Sequence, residues 1–218
     1  MLLVISFSIE ISCSNKIFSQ NMEKKEQPIV ETDERTHLHW AATRGDVRAV
    51  QECLENGDNP DKADDMGWTP MISAASCEFV QVVAALLEAG ANPALKTKQG
   101  RDAFFYAVSR CNSPMTDLFI IHDYTNYKPD KYGSNCIHRA IVNPKCTPEF
   151  LQMLYNNDAP FKDADAEGNT PMHLACYENR VELIKWLKDV AGLSMEYPLN
   201  QDKKAPKDLI SNQPEFKI

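Results

Sequence analysis

The stretch Asn169-Thr-Pro-Met-His-Leu-Ala-Cys176 decides how this chain is read, because it recurs. Trp68-Thr-Pro-Met-Ile-Ser-Ala-Ala75 and Arg35-Thr-His-Leu-His-Trp-Ala-Ala42 are upstream copies. Arg101-Asp-Ala-Phe-Phe-Tyr-Ala-Val108 and Ser134-Asn-Cys-Ile-His-Arg-Ala-Ile141 are diverged copies, and Lys204-Ala-Pro-Lys-Asp-Leu-Ile210 is a weaker last one. The second residue of each copy falls at 36, 69, 102, 135, 170 and 205, giving steps of 33, 33, 33, 35 and 35. A sustained period of this size marks a solenoid, in which each repeat is one supersecondary unit that buries its apolar face only against its neighbours.

The period and the wording resemble the ankyrin repeat, whose signature is T-P-L-H-x-A. Each element of the signature has a physical task. Pro70 and Pro171 open a helix, where a missing N–H costs nothing. Thr36, Thr69 and Thr170 precede that helix and cap its free N–H groups. Ala41-Ala42 and Ala74-Ala75 let neighbouring helices approach closely. A second helix follows, with apolar residues at helical spacing: Val47, Val50, Leu54; Val83, Leu86, Leu87; Leu118, Phe119, Ile121; Phe150, Leu151, Leu154; and Val181, Ile184, Leu187. Gly57 and Gly90 stop two of these helices, and Asp65-Met-Gly67, Gln99-Gly100, Tyr132-Gly133 and Glu167-Gly168 are the tips of projecting turns. The expected fold is an all-α ankyrin-repeat solenoid of stacked helix pairs with β-turn fingers. It covers residues 33–218 as five repeats plus a partial C-terminal cap repeat. Copy three lacks the Thr-Pro pair and reads Asp102-Ala103, and the two steps of 35 place loop insertions at Asn143–Pro148 and around Gly192–Asn200.

Residues 1–32 read as an irregular N-terminal extension or a degenerate cap. The apolar run Met1–Ile9 makes a poor signal peptide: no basic residue precedes it, Glu10 interrupts it, and no convincing cleavage site follows. It is too short to span a membrane, and a start at Met22 is an equal alternative. The 218 residues are 43% hydrophobic, which supports a packed core, and the net charge of -8 argues against nucleic acid or an anionic membrane as partner. Seven cysteines, an odd number with no CxxC pair, favour a reducing compartment over a disulfide framework; cytosol and nucleus are the expected locations.

No catalytic or cofactor chemistry is expected. No P-loop, GxSxG or HExxH motif occurs. His39, His138 and His173 share one slot in different repeats, too far apart for a common metal ion, and read as hydrogen-bonded to their own Thr or backbone. Cys53 and Cys176 read as core-facing, Cys77 as a groove residue, and Asp64-Asp65 as solvated finger-tip carboxylates. Leu174-Ala-Cys-Tyr-Glu178 fits the L-x-C-x-E pattern that retinoblastoma pocket proteins recognise, but Leu174 and Cys176 fall in a first helix and read as buried.

The repeat register assigns the binding face. Ankyrin solenoids present a groove lined by fingers and first helices. The slot before each capping residue holds Arg35, Trp68, Arg101, Ser134, Asn169 and Lys204. The slot after each Ala pair holds Thr43-Arg44, Ser76-Cys77, Ser109-Arg110, Val142-Asn143 and Tyr177-Glu178. The early groove therefore reads as basic, with Arg35, Arg44, Arg101 and Arg110 around an exposed Trp68, beside acidic fingers at Asp61, Asp64, Asp65 and at Asp163, Asp165, Glu167. A partner of alternating charge fits such a face, and Trp and Arg are typical hot-spot residues.

Three stretches carry a closer resemblance: Arg35 to Ala42, Asp64-Asp-Met-Gly-Trp-Thr-Pro70, and Glu167-Gly-Asn-Thr-Pro-Met-His-Leu-Ala-Cys-Tyr-Glu-Asn-Arg-Val-Glu182. Together they resemble the gankyrin family, the ankyrin-repeat chaperones known as regulatory subunit ten of the 26S proteasome, over about Asp33 to Leu209. That resemblance implies assembly of the proteasome regulatory particle through binding the C-terminal domain of one base ATPase subunit. It implies contacts from Arg35, Arg110 and Glu178 and from the finger aspartates Asp33 and Asp65. It also points to cell-cycle partners, a cyclin-dependent kinase or a retinoblastoma-type pocket protein. Gankyrin has a further repeat ahead of the first copy found here. The alternative is another ankyrin regulator, an inhibitor or adaptor of a kinase or transcription factor in cytosol or nucleus. A secreted effector is a third class, favoured by the apolar N-terminus.

Overall fold

The structure, a computed structural model, describes residues 34–210. The readings placed on residues 1–32, and the contact expected of Asp33, lie outside the described residues. Five helix pairs follow one another: α1 His37–Arg44 and α2 Val47–Glu55, α3 Pro70–Ser76 and α4 Val80–Glu88, α5 Ala103–Ser109 and α6 Ser113–Ile121, α7 Cys136–Ile141 and α8 Pro148–Tyr155, and α9 Pro171–Tyr177 and α10 Val181–Asp189. The sixth copy forms a single 3₁₀ turn, Pro206–Leu209. The all-α repeat solenoid read from the sequence is what the chain forms.

Helix starts follow from the capping residues. Thr69 accepts the Ile72 N–H at 3.3 Å, and Pro70 takes the first helical position, where no N–H is needed. Copy three loses nothing by replacing Thr with Asp: Asp102 accepts the Phe105 N–H at 2.8 Å. Asn135 does the same in copy four, accepting from Ile137 and His138 at 3.0 and 3.1 Å. Between the helices of four pairs the chain turns through the left-handed region, at Gly45, Glu78, Cys111 and Asn179.

First helices stack on first helices from α1 to the 3₁₀ turn, and their small residues explain the closeness: Ala41, Ala74, Ala107, Ala140 and Ala175 are fully enclosed. Second helices form an outer row, α2 on α4 on α6 and α8 on α10. Val50, Val83, Leu86, Phe119, Leu151, Leu154, Ile184 and Leu187 fill the space between the rows. Ile121 does not join them. It is 76% exposed, because it lies two residues, over half a helical turn, beyond the buried Phe119. Met115 supplies the inward contact instead.

Regularity breaks at repeat four. α7 and α8 begin at Cys136 and Pro148, whereas α3 and α4 begin at Pro70 and Val80, so the expected insertion lies in the turn of repeat four. The second expected insertion falls between Asp189 and Pro206. Close backbone approach joins the helices of the other four pairs. The α7–α8 and α6–α8 joins are looser.

Candidate protein-binding face

The first, third and fourth fingers are each built on one carboxylate, and the second on Thr97, whose Oγ1 accepts the Arg101 N–H at 3.3 Å. Asp64 accepts the N–H groups of Met66 and Trp68 at 2.9 and 2.8 Å, and Gly67 completes the turn at φ 79°. Asp130 holds Tyr132 and Ser134 in the same way, and Asp165 holds Glu167 and Asn169. Fingers one and two, and fingers two and three, are tied through backbone bonds, Lys98 N–H to Met66 O and Lys131 N–H to Gln99 O, both at 2.9 Å. These carboxylates do more than turn the chain. Arg35 Nε donates to Asp64 at 3.0 Å, and Arg101 Nε donates to Asp130 at 2.8 Å. Each arginine thus grips the finger 29 residues ahead.

This geometry corrects four readings. Asp64 is buried rather than solvated, since its oxygens are consumed by two amides and a guanidinium. Arg101 is buried, 9% exposed, and lies over the Phe105 ring as well as against Asp130; its charge is committed within the chain. Trp68 is half-buried, with its ring 5.2 Å from that of Tyr106. Arg35 is half-buried between Asp64 and the Trp40 ring. The early groove is therefore less basic than the letters suggest. The fingers are also less acidic: the exposed Lys98 and Lys131 sit on fingers two and three, between Asp65 on the first and Glu167 on the fourth. A census of charge along the finger tips, rather than a search for aspartates, would have found them.

Four of the candidate residues have side chains with no hydrogen bond or ion pair to the described residues: Arg44, Asp65 and Glu178, which are exposed, and Arg110, which is half-buried. Tyr177, beside Glu178, is 52% exposed, and Tyr132 on the third finger is 54% exposed. Arg44, Arg110, Tyr177 and Glu178 end first helices, while Asp65 and Tyr132 stand on fingers. Together with Lys98 and Lys131, these residues leave the face partly open to solvent.

The histidines act as the sequence suggests and also reach further. His39 Nδ1 accepts the Thr36 N–H at 3.1 Å, and Thr170 N–H meets His173 Nδ1 at the same distance. With Nδ1 accepting, the proton sits on Nε2, which donates to the next repeat: His39 to Trp68 O at 3.0 Å, His138 to Asp163 O at 3.1 Å, and His173 to Lys204 O at 3.2 Å. Burial lowers the pKa of all three rings. Among the described residues, no cluster of three or more His, Cys, Asp and Glu is placed to hold a metal ion. No described helix is long and apolar enough to cross a membrane.

The cysteines divide. Cys176 is buried and Cys77 exposed, as expected, whereas Cys53 is only half-buried against the core. In the L-x-C-x-E segment Cys176 is enclosed but Leu174 is half-buried, a correction to the reading of both as buried; the segment is helical through Tyr177.

The inserted turn, 142–147, was visible only as an irregularity of spacing, yet it is a junction. Asn143 Nδ2 donates to Ser109 O at 2.9 Å in repeat three, and Lys145 Nζ pairs with Glu78 at 3.0 Å in repeat two. Arg180 of repeat five donates to Asn143 O at 2.8 Å and Cys146 O at 2.6 Å. Its spacing located the turn, but nothing in the letters announced those partners.

The model of the ankyrin-repeat family matches residues 9–97 and 104–198. Among curated proteins, the 26S proteasome non-ATPase regulatory subunit 10 of Dictyostelium discoideum is 46% identical over 61 residues, 28% of this chain and 26% of that protein. An ankyrin repeat, SAM and basic leucine zipper domain-containing protein of Neofelis nebulosa is 36% identical over 81 residues, 37% of this chain and 17% of its own. An ankyrin repeat-containing protein of Schizosaccharomyces pombe is 28% identical over 109 residues, 47% of each chain. The matched part spans about a quarter of the proteasome subunit and under a fifth of the leucine-zipper protein. Repeat period, helix pairs, finger turns and a family match over most of its length agree: the chain belongs to the ankyrin-repeat family, whose stacked repeats are protein-binding scaffolds.

Proposed function

We propose that this chain is a chaperone of proteasome regulatory-particle assembly, acting in cytosol and nucleus by binding the C-terminal domain of a base ATPase subunit. The observation that carries the reading is a local similarity to a proteasome subunit, with three residues that the resemblance names left open on the face. The proteasome subunit 10 of Dictyostelium discoideum is 46% identical over its matched stretch. Of the residues that the gankyrin resemblance implies as contacts, Asp65, Arg110 and Glu178 have no side-chain partner among the described residues. Opposite charges at Arg110 and Glu178 suit a partner surface of alternating charge, which sets orientation and speeds encounter more than it adds affinity.

The test measures binding of purified base ATPase C-terminal domains to the full chain and to Arg110→Glu and Glu178→Arg. Each reversal is expected to weaken binding at least tenfold, equivalent to about 1.4 kcal/mol, with the unfolding midpoint nearly unchanged. No binding by any base ATPase domain overturns the reading. In that case the similarity to the SAM and leucine zipper proteins favours an ankyrin adaptor in another assembly.

A further inference from the structure

Cys111 and Cys146 belong to different repeats, and the fold seats both on the turn after α7: the Cys111 thiol and the Asn143 N–H share the Ala140 carbonyl, and the Cys146 N–H donates to Asn143 O at 3.0 Å. The chain around them is fixed from both sides. Asn143 Nδ2 holds Ser109 O at 2.9 Å, the Cys111 thiol reaches Ala140 O at 3.7 Å, and Arg180 clamps Cys146 O at 2.6 Å. Cys111 also occupies a left-handed backbone position, φ 54°, where the first repeat uses Gly45 and where a side chain costs about 1 kcal/mol. Cys146 is 3% exposed and Cys111 half-buried, so small molecules reach the pair through Cys111. The pair lies where repeats three and four meet, the junction at which second helices pack least closely.

We propose that Cys111 and Cys146 are a redox dithiol, a modification site that reacts with low-molecular-weight disulfides of the glutathione class and closes into a bridge between repeats three and four. In the first step the Cys111 thiolate attacks one sulfur of the small disulfide. A mixed S–S bond forms, the original S–S bond breaks, and one thiolate leaves with the electron pair and takes up a proton. The Cys146 thiolate then attacks the Cys111 sulfur, expelling the second small thiol. Two protein thiols have lost two protons and two electrons, and the disulfide has become two thiols. The neighbouring Cys146 sulfur and burial push the Cys111 pKa up, while Arg180 and Lys145 pull against them. Exchange is therefore slow near neutrality and accelerates as pH rises.

Among the described residues, the exposed Cys77 has only Ser76 Oγ beside its sulfur, at 3.8 Å, and stops at a mixed disulfide, and Cys53 is half-buried, so the test uses the full chain carrying Cys13→Ser, Cys53→Ser and Cys77→Ser. Treatment with oxidised glutathione at mildly alkaline pH is expected to give a product lighter by two hydrogens, with a peptide linking Cys111 to Cys146. The thermal midpoint rises, and dithiothreitol reverses both changes. Adding Cys111→Gly, which suits the left-handed backbone, keeps the fold and abolishes the bridge. A glutathione adduct that persists on Cys111, a bridge to any other cysteine, or a Cys111–Cys146 pair that stays reduced throughout overturns the proposal.

Discussion

At the scale of the residue, the same side-chain type serves two purposes in this protein, and the partner decides which. Arg101 is enclosed against Asp130, so Arg101→Ala leaves a buried carboxylate without its counter-charge. A loss of about 3–5 kcal/mol in urea denaturation is expected. Arg44 is exposed and has no side-chain partner among the described residues, and Arg44→Ala is expected to change stability by less than about 0.5 kcal/mol. A variant of Arg101 that fails to bind therefore reports folding, not contact. The histidines make a second residue-scale prediction. Burial holds His39, His138 and His173 below the ordinary value of 6.5, so the unfolded chain takes up protons more readily. Stability from these groups is complete above pH 6.5 and falls as pH drops through that value toward the folded pKa values. Urea midpoints are expected to fall between about pH 7.5 and about pH 5.5, where carboxylates remain ionised. His39→Asn is expected to flatten that pH dependence, even though it lowers stability overall.

At the scale of the element, each helix start and turn was legible because it depends on neighbours in sequence. Thr69-Pro70 caps its helix as read, and even the unread Asp102 obeys the same logic, since a carboxylate caps as well as a hydroxyl. The fates of Arg101 and Trp68 were not legible, because Asp130 and Tyr106 reach them from the next repeat. The inserted turn shows the same limit: its length was written in the spacing, but its clamp was not. Arg180 supplies that clamp by donating to carbonyls of residues 143 and 146. Arg180→Ala is expected to cost about 2 kcal/mol through those charge-assisted bonds. Hydrogen exchange should quicken at residues 142–147 before it changes in α9 or α10. Equal acceleration across repeat five would show that Arg180 serves its own repeat rather than the turn.

At the scale of the described array, stability is a sum of repeats and the joints between them. The first-helix row runs unbroken, but the second-helix row is looser between α6 and α8. Besides the first helices, that joint relies on fingers and on the inserted turn. Gly133 marks how tightly the fingers meet there: a Cβ on it would lie 2.8 Å from Ala166 Cβ and 2.9 Å from Ala166 N, at φ 77°. Neither contact is a flexible side-chain end, so Gly133→Ala must separate fingers three and four. In a chain of nearest-neighbour couplings, weakening one joint uncouples the two sides without weakening either one internally. Native-state hydrogen exchange on Gly133→Ala is therefore expected to show α7–α10 opening at lower free energy than α1–α6, with denaturation separating into two steps. A uniform loss of protection with one retained transition would mean that the first-helix row alone carries the coupling. Closing the Cys111–Cys146 bridge in the same variant crosses the opened joint covalently and is expected to bring the two steps back together.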